Sequence, residues 1–466
     1  MSSASIHRYF VTCSPGLEEL LRAELLELGL SGEPTPGGVS LRGSLTVLWQ
    51  AAFGSRLAES IRLRLKPFVA THFAELEAGL LKLPFHAYLA ERSKIDVRVT
   101  CASSKLYHTD AVEERVRRVL QSLGRSDESA GHEDEPNPSS RTPVVGIKRE
   151  ESPATRTIFV RIHRNEVTVS VDATGNRLHR RGYRTHVGQA PIRETLAAAA
   201  VRILQAHAKH RLTRIWDPCC GSGTMLAEWM QTNSGTWPAF AGTEERRYAF
   251  EGWPVHPEKE FASWRTANQR EHGRHPVAEL RAFGSDRDVK TLEAARHNLE
   301  NAGVLDGCTL LPLDFRRAHT DVPEGTAVVS NLPYGVRLKR EHRGGPGAYE
   351  ALDALLAQRP DLRPALVITN TLPPTGIDTP GPQQRASRTG ASQSRPGSFV
   401  EQSTQPGRSR RTMLPRAAFP IRFVSSSFGN DTALDERKAP RTDLGAPLPS
   451  RRRSCAIRLV ECLVAD

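Results

Sequence analysis

An α/β fold with a doubly wound parallel sheet is predicted for the C-terminal half of this 466-residue chain. Helical patterns there alternate with five apolar, strand-like segments at 214–216, 281–283, 308–311, 326–329 and 365–369. Such alternation is typical of a parallel sheet. A glycine-rich turn directly follows the first strand, and a loop containing asparagine and proline follows the fourth. Ligands bind at the carboxyl ends of such strands, so these two loops form the candidate site.

The N-terminal part shows mixed helix and strand signals. Residues 6–12 alternate as a strand, and leucines at helical spacing then run to Gly29, which ends the helix. A strand at 95–100 and a long helix at 107–123 follow. Two further strands, 158–162 and 167–171, flank Arg164-Asn165, which predicts a hairpin.

Composition divides the chain into folded regions and low-complexity segments. The sequence contains 35 Gly and 32 Pro, which favours folded domains separated by irregular stretches. Segments rich in small and polar residues, with no apolar period, are predicted to be insertions at 124–155, 372–414 and 430–453. Two late apolar segments, 421–424 and 456–460, are candidate antiparallel edge strands.

Several classes of protein are disfavoured by the sequence. No apolar run of about 18 residues is present, so no membrane-spanning helix is expected, and no secretory signal is expected either. The seven cysteines are scattered and include no Cys-x-x-Cys pair, which argues against a disulfide scaffold or a metal site. We therefore expect a cytoplasmic protein without a bound metal or a membrane partner.

The charge balance favours a polyanionic partner such as RNA. The formal net charge is +12 and the isoelectric point is near 9.6. A basic stretch at 177–184 supplies the candidate RNA contacts, which are Arg180, Arg181, Tyr183 and Arg184. The alternative is that the stretch is a linker whose arginines pair with carboxylates of the neighbouring domain.

The glycine-rich turn is predicted to bind a cofactor. Glycines between a parallel strand and a helix let the backbone approach a ligand closely and present helix N-terminal amides to a negative group. Asp217, at the start of the turn, can accept from an ammonium group. The residues assigned to cofactor binding here are Asp217, Cys219, Gly221, Ser222 and Gly223. The simpler alternative is a plain tight turn.

Carboxylates follow the next two strands. Asp286 ends one strand, where an acid can bind a ribose diol, and Asp288 is better placed as a helix N-cap. Asp314 follows the strand at 308–311, where it can accept from an adenine amine beside Phe315. For Asp314 the alternative is a solvated loop residue.

The loop Asn331-Leu332-Pro333-Tyr334 is the predicted site of chemistry. An exocyclic amine is a poor nucleophile because its lone pair is delocalised into the ring. The Asn331 side-chain oxygen and the Leu332 carbonyl can hold its two protons and localise that lone pair. Pro333 restricts Leu332 to an extended conformation, and Tyr334 offers a face for stacking, worth about 1–3 kcal/mol. The alternative is an Asn-x-Pro turn that only closes the strand.

These motifs resemble those of bacterial THUMP-domain RNA guanine-N2 methyltransferases, especially those acting on large-subunit ribosomal RNA. The matching stretches cover about 6–120 and 156–370 and include 15–25, 172–184, 190–197, 217–224 and 331–335. The resemblance implies a ferredoxin-like region at 1–65 and a THUMP RNA-binding module at 66–172. It further implies a Rossmann-like class I methyltransferase domain at 173–466 that uses S-adenosylmethionine.

The resemblance carries the family's site onto residues of this chain. The family's cofactor residues match Asp217, Gly221, Gly223, Asp286 and Asp314. Pro333 and Tyr334 match its target loop. Asn331 is assigned to both the cofactor and the target base. Leu332 departs from the proline usual there, and Asn-Leu-Pro-Tyr also occurs in ribosomal RNA adenine dimethyltransferases. Guanine N2 of ribosomal RNA is therefore the leading target. The alternatives are a transfer RNA guanine, an adenine N6, or RNA binding without catalysis.

Overall fold

The computed structural model describes residues 6–91, 93–125, 155–186, 192–243, 245–275, 278–332, 347–369 and 458–461. Two β-sheets organise these residues, one in each half of the chain. The predicted insertions at 372–414 and 430–453 lie outside the described residues, and so do residues 126–154 of the first insertion.

The N-terminal sheet is mixed. Its elements are β1 (His7–Thr12), α1 (Glu18–Glu27), β2 (Gly32–Thr35), β3 (Gly38–Gly43), α2 (Leu45–Gly54), β4 (Ser60–Arg64), β5 (Phe68–Val69), α3 (Phe73–Leu81), α4 (Phe85–Tyr88), β6 (Ile95–Ala102), α5 (Thr109–Ser122), β7 (Arg156–His163) and β8 (Glu166–Asp172). The strand order is β2-β3-β1-β4-β8-β7-β6, with β5 also on β8. Among the described strands of this sheet, only β6 and β7 pair in parallel. Because β4 pairs with β8, one sheet joins strands of both predicted N-terminal regions.

Local sequence explains several of these elements. Arg164 and Asn165 adopt left-handed conformations, with φ of 51° and 64°, and form the tight turn of the predicted β7–β8 hairpin. Gly29 is also left-handed, at φ 76°, and follows the end of α1. The apolar stripe of α5, which contains Val112 and Val116, is fully buried.

Helices cover one face of the N-terminal sheet. Alternating strand residues such as Val11, Leu63 and Val169 are buried there against α1, α2, α3 and α5. The residues between them point to the opposite face, because successive side chains of a strand alternate.

The C-terminal half forms the predicted doubly wound sheet. Its elements are α6 (Glu194–His207), β9 (Arg214–Asp217), α7 (Thr224–Asn233), α8 (Glu258–His272), β10 (Arg281–Ser285), α9 (Val289–Asn301), β11 (Cys308–Leu311), α10 (Phe315–Ala318), β12 (Ala327–Asn331), α11 (Ala348–Gln358), β13 (Ala365–Thr369) and β14 (Arg458–Glu461). The order is β11-β10-β9-β12-β13-β14, and every pair is parallel except β13–β14. Thus β14 is the expected late edge strand, whereas 421–424 lies outside the described residues.

Both faces of this parallel sheet are buried. Ile215 and Val329 pack into a core with α6, α7 and α9, while Trp216 and Val328 pack into another with α10 and α11. All four side chains are fully buried. A sheet covered on both sides leaves only its strand ends for ligands.

The sequence analysis missed the segment between α7 and β10. Helix α8 is polar and buries only Phe261 along its length, so its apolar pattern is weak. The aromatic residues of this segment pack against α2: the Phe53 ring lies 5.2 Å from Trp264 and 5.8 Å from Phe261, centroid to centroid. The segment therefore joins the C-terminal half to the N-terminal core. Among the described residues, no helix is long and apolar enough to cross a lipid bilayer.

Candidate functional site

The two predicted loops lie at the same edge of the C-terminal sheet. Strands β9 and β12 are direct neighbours and run parallel, with Ile215 opposite Ala327 and Trp216 opposite Val328. Strand β10 lies on the other side of β9. The sheet order reverses between β9 and β12, which is the topological switch point where doubly wound sheets bind ligands.

The glycine-rich turn has a conformation that only glycine adopts easily. Gly221 and Gly223 are both left-handed, with φ of 51° and 80°. A Cβ at Gly221 would meet no atom within 4 Å, so this part of the turn borders open space. Gly223 is the N-cap of α7, and a Cβ there would lie 3.3 Å from the Ala295 Cβ. The turn thus points the start of α7 toward the open edge while packing tightly on α9.

Asp217 is buried at the tip of β9. The Ser330 hydroxyl donates to Asp217 Oδ1 at 2.6 Å, and the Cys219 amide donates to the same oxygen at 3.2 Å. Burial, with a smaller contribution from the Asp286 charge, raises the pKa of Asp217 to about 7, although both hydrogen bonds oppose that rise. Ser330 of β12 therefore contacts Asp217, the first residue of the turn, directly.

Asp286 holds the turn from the tip of β10. Its Oδ2 accepts from the Gly221 amide at 3.2 Å, and its Oδ1 accepts from the Asp288 amide at 3.0 Å. Asp288 is the N-cap of α9 and accepts from the Lys290 amide, as predicted. The ribose contact proposed for Asp286 stays a prediction.

Asp314 has a structural role in the described residues. It is the N-cap of α10, where it accepts from the Arg316 amide at 3.0 Å, and it also pairs with the Arg316 guanidinium. Phe315 is buried in the core rather than exposed beside Asp314. The adenine contact of Asp314 stays a prediction.

The charges of the three carboxylates act on the thiol of Cys219. Burial raises the pKa of Cys219, and the charges of Asp217, Asp286 and Asp314 raise it further. Burial likewise raises the pKa of Cys220. Both thiols therefore stay neutral and are poor nucleophiles. Across the described ranges, no cluster of His, Cys, Asp and Glu side chains could hold a metal ion.

The loop that follows β12 is described only at its beginning. Asn331 is the last residue of β12 and is half-buried, and it pairs with Ile368 of β13. Leu332 is 3% exposed and packs into the core under α11. Pro333 and Tyr334 lie outside the described residues, so their predicted roles stay predictions.

Two supporting residues were missed by the sequence analysis. Asn298 of α9 is fully buried, and its Nδ2 donates to the Ser222 carbonyl at 3.0 Å and to the His186 carbonyl at 2.8 Å. Its Oδ1 accepts from the amides of Thr185 and His186. Ser330 was missed as well, although its position directly before Asn331 was a signal. Asn298 gave none, since it lies inside an ordinary amphipathic helix.

The basic stretch at 177–184 is partly internal, which corrects part of the RNA prediction. The Arg181 side chain is fully buried and pairs with Glu228 at 2.7 Å, and the Tyr183 hydroxyl donates to the same carboxylate. The structure therefore contradicts RNA contacts by Arg181 and Tyr183. Arg184 is half-buried and lies 3.4 Å from Glu194. Arg180 is exposed, and its RNA contact stays a prediction.

Glu228 links the two halves of the chain. This fully buried carboxylate on α7 also accepts from the Arg56 guanidinium at 2.9 Å, and Arg56 follows α2 of the N-terminal half. The Arg181 guanidinium donates to the Arg56 carbonyl at 2.7 Å. Part of the basic stretch thus pairs with a carboxylate of the C-terminal domain, the alternative that the sequence left open.

The fold and the site at its sheet edge define a class I methyltransferase domain joined to an α+β N-terminal region. Residues 181–361 match the family described as RMKL-like methyltransferase domain, and residues 8–62 match the family described as RlmL ferredoxin-like domain. These matches confirm the resemblance and the fold class inferred from the sequence.

One curated relative extends this similarity over most of the chain. The "Ribosomal RNA large subunit methyltransferase K/L" of Marinobacter nauticus is 30% identical over 366 residues, which cover 76% of this chain and 47% of that protein. The chain therefore spans about half the length of this relative.

Two solved structures share the fold. One, described as a predicted N6-adenine-specific DNA methylase from Listeria monocytogenes, is 26% identical with a TM-score of 0.63, over 78% of this chain and 89% of that chain. SMU.472, a methyltransferase complexed with SAH, is 23% identical with a TM-score of 0.62, over 78% of this chain and 90% of that chain. The similarity to SMU.472 supports the assignment of the fold alone.

Proposed function

We propose that this protein transfers a methyl group from S-adenosylmethionine to the exocyclic amino group of an RNA base, with guanine N2 of large-subunit ribosomal RNA as the leading target. The observation that carries the proposal is the contact between the two strand tips. The Ser330 hydroxyl of β12 donates to Asp217 of β9, one residue before Asn331. A cofactor at the turn and a base at Asn331 would therefore be neighbours.

The residues of the turn fit the cofactor. The open space at Gly221 admits a ligand against the backbone, and the amides at the start of α7 suit the methionine carboxylate. We propose that Asp217 accepts from the ammonium, Asp286 from the ribose and Asp314 from the adenine amine. When bound, S-adenosylmethionine would supply a methyl group on a positively charged sulfur, and Cys219, Ser222 and Gly223 would line its pocket.

Asn331 is proposed to orient the target amine. Its side-chain oxygen accepts one amine proton and the Leu332 carbonyl accepts the other, which directs the nitrogen lone pair toward the methyl donor. An amide is not a base, so its contribution is alignment of the two reacting atoms. Tyr334 would stack on the base and Pro333 would fix the Leu332 carbonyl.

The N-terminal half is proposed to deliver the RNA. Its ferredoxin-like domain belongs to the family found in RlmL proteins, and 66–172 would be a THUMP module. The Marinobacter nauticus relative is named as a ribosomal RNA methyltransferase, which supports ribosomal over transfer RNA and a cytoplasmic location. Adenine N6 is the second candidate, favoured by the loop Asn-Leu-Pro-Tyr and by the name of the Listeria monocytogenes protein.

The test is methyl transfer to RNA by purified Asn331→Ala protein. We expect the variant still to bind S-adenosylmethionine and its transfer rate to fall by at least about 100-fold, because alignment is lost. Tritium counting and chromatography of digested nucleosides would measure the rate and separate N2-methylguanosine from N6-methyladenosine.

Asn268→Ala, on α8 and away from the sheet edge, is the matched control and should keep the wild-type rate. Normal turnover by the Asn331 variant would remove the orienting role. Wild-type protein that methylates no RNA would refute the proposed activity.

A further inference from the structure

The face of the N-terminal sheet opposite its helices carries a set of arginines. Cross-strand partners place Arg42, Arg8 and Arg64 side by side on β3, β1 and β4, and the same row continues through Ser170 and Phe159 to Arg98. Six strands at about 4.8 Å make this row roughly 24 Å long. With Arg62 and Arg161 on the adjacent rows, these residues form what we call the arginine face: Arg8, Arg42, Arg62, Arg64, Arg98 and Arg161.

The arrangement places like charges directly opposite one another. Arg8 faces Arg42 on one side and Arg64 on the other, and directly opposed like charges destabilise a sheet. Burial lowers the pKa of Arg64, and the charges of Arg161 and Arg62 lower it further. Four of the six are exposed, namely Arg8, Arg42, Arg98 and Arg161. Such repulsion is relieved when a polyanion lies across the face.

Two of the arginines are held flat by aromatic rings. The Arg62 guanidinium lies 3.8 Å from the centroid of Phe159, and the Arg64 guanidinium lies 3.9 Å from that of Phe10. Cation–π contacts of this kind fix the otherwise mobile side chains. A guanidinium held in this way keeps its N–H donors for phosphate oxygens and its plane for base stacking.

The acids on this face offset its charge at the sides and not at its centre, since Asp172 is the cross-strand partner of Arg62 and its charge acts on that guanidinium. Asp96 pairs with Arg98 at 2.7 Å. Asp172 is buried and accepts from Thr174 and Gly175. Glu33 lies on edge strand β2, and Glu166 lies at the hairpin end of β8. The centre of the row, around Arg8 and Arg64, is therefore uncompensated.

We propose that the arginine face binds the sugar-phosphate backbone of the substrate RNA, so that the ferredoxin-like region and the following module act as one platform. The identity of the polyanion as RNA rests on the proposed function. Arg8, Arg42, Arg62 and Arg64 come from the first region, and Arg98 and Arg161 from the second. The continuous pairing of β4 with β8 makes the two sets one surface.

The test is RNA binding by the variant R8A/R42A/R161A. These three arginines are exposed and do not stack on Phe10 or Phe159, so their removal spares the packing of the sheet. The probe is a labelled single-stranded RNA of roughly 20 nucleotides, followed by fluorescence anisotropy between about 50 and 200 mM salt. We expect at least a tenfold loss of affinity at low salt. The slope of log affinity against log salt should fall by about 2, since each lost phosphate contact removes about 0.7.

The matched control is R22A/R115A/R118A, which removes the same charge from helices α1 and α5 on the covered side of the sheet. It should keep the wild-type salt slope. Equal affinity and slope in the two triple variants, in a protein that still methylates RNA, would overturn the inference and leave the proposed function intact. If the wild type bound RNA through this face but methylated none, the proposed function would fail and this inference would stand.

Discussion

The two sheets of this protein differ in which part of the sheet is left free. The C-terminal sheet is parallel apart from its edge strand β14 and is buried on both faces, with Trp216 on one side and Ile215 on the other. Its candidate site therefore lies at the strand tips. The N-terminal sheet is mostly antiparallel and is covered on one face, so its functional groups spread over the other. The direction of the strands and the number of faces covered by helices thus determine whether a ligand can bind at the strand ends or on a face of the sheet.

The two free surfaces also differ in charge. The strand tips gather Asp217, Asp286 and Asp314 around the glycine-rich turn, whereas the arginine face gathers cations. A small cofactor with an ammonium and a positive sulfur suits the first surface, and a polyanion suits the second. Glu228, Arg56 and Arg181 join the halves between them.

The largest effect is expected from Gly223→Asp at the edge site. The new side chain would require a left-handed backbone at φ 80° and would place its Cβ 3.3 Å from Ala295 and 3.4 Å from Leu299. It would also set a carboxylate at the start of α7, where a cofactor carboxylate is proposed. We expect binding of S-adenosylmethionine, measured by calorimetry, to weaken by more than about 100-fold.

Gly325→Asp is the matched control, because Gly325 is also left-handed but a Cβ there would meet no atom within 4 Å. It should bind the cofactor normally. Undiminished binding by Gly223→Asp would show that the edge is not the cofactor site. RNA binding at the arginine face should persist in both variants.

An effect of similar size, on stability instead of binding, is expected where the two halves meet. Glu228→Ala would leave the buried guanidiniums of Arg56 and Arg181 without their carboxylate. Removing one partner of a buried ion pair costs about 3–5 kcal/mol, and we expect that loss in urea unfolding.

The exposed Glu293→Ala on the neighbouring helix α9 should change the free energy of unfolding by no more than about 0.5 kcal/mol. An equally small change for Glu228→Ala would show that the cluster of Glu228, Arg56 and Arg181 does not stabilise the contact between the two halves.

The smallest effect is a pH dependence of the affinity for S-adenosylmethionine at the C-terminal strand ends. The pKa of Asp217 is raised to about 7, so the carboxyl is partly protonated near neutral pH. If Asp217 accepts from the cofactor ammonium, binding favours the ionised form and releases a proton. Affinity for S-adenosylmethionine should then rise about tenfold per pH unit up to pH 7 and level off above it.

Asp217→Asn should remove that dependence, while Asp288→Asn, which keeps a capping side chain on α9, should retain it. A wild-type affinity that is flat between pH 5 and about 8 would exclude a titrating Asp217 from the cofactor contact.

Local sequence signals predicted much of this architecture. The five parallel strands, the hairpin at Arg164-Asn165 and the N-cap Asp288 were all confirmed, because each depends on near neighbours in the chain. Helix α8 was missed because aromatic residues from a distant part of the chain, such as Phe53, bury its Phe261. Arg181 and Tyr183 were placed on the surface because Glu228, their partner, lies more than 40 residues away.

The sequence by itself determined the strand–helix alternation, the glycine-rich turn and the residues at the strand ends, since these follow from side-chain periodicity and local backbone preference. Only the tertiary structure decided which charged side chains are exposed and which are buried. Arginines of 177–184 and of the strands look alike in sequence, yet Arg181 is enclosed against Glu228 while Arg8 and Arg42 lie open beside each other. Strand pairing and interdomain packing determine which arginines are buried, because burial of a charge depends on partners far away in the chain.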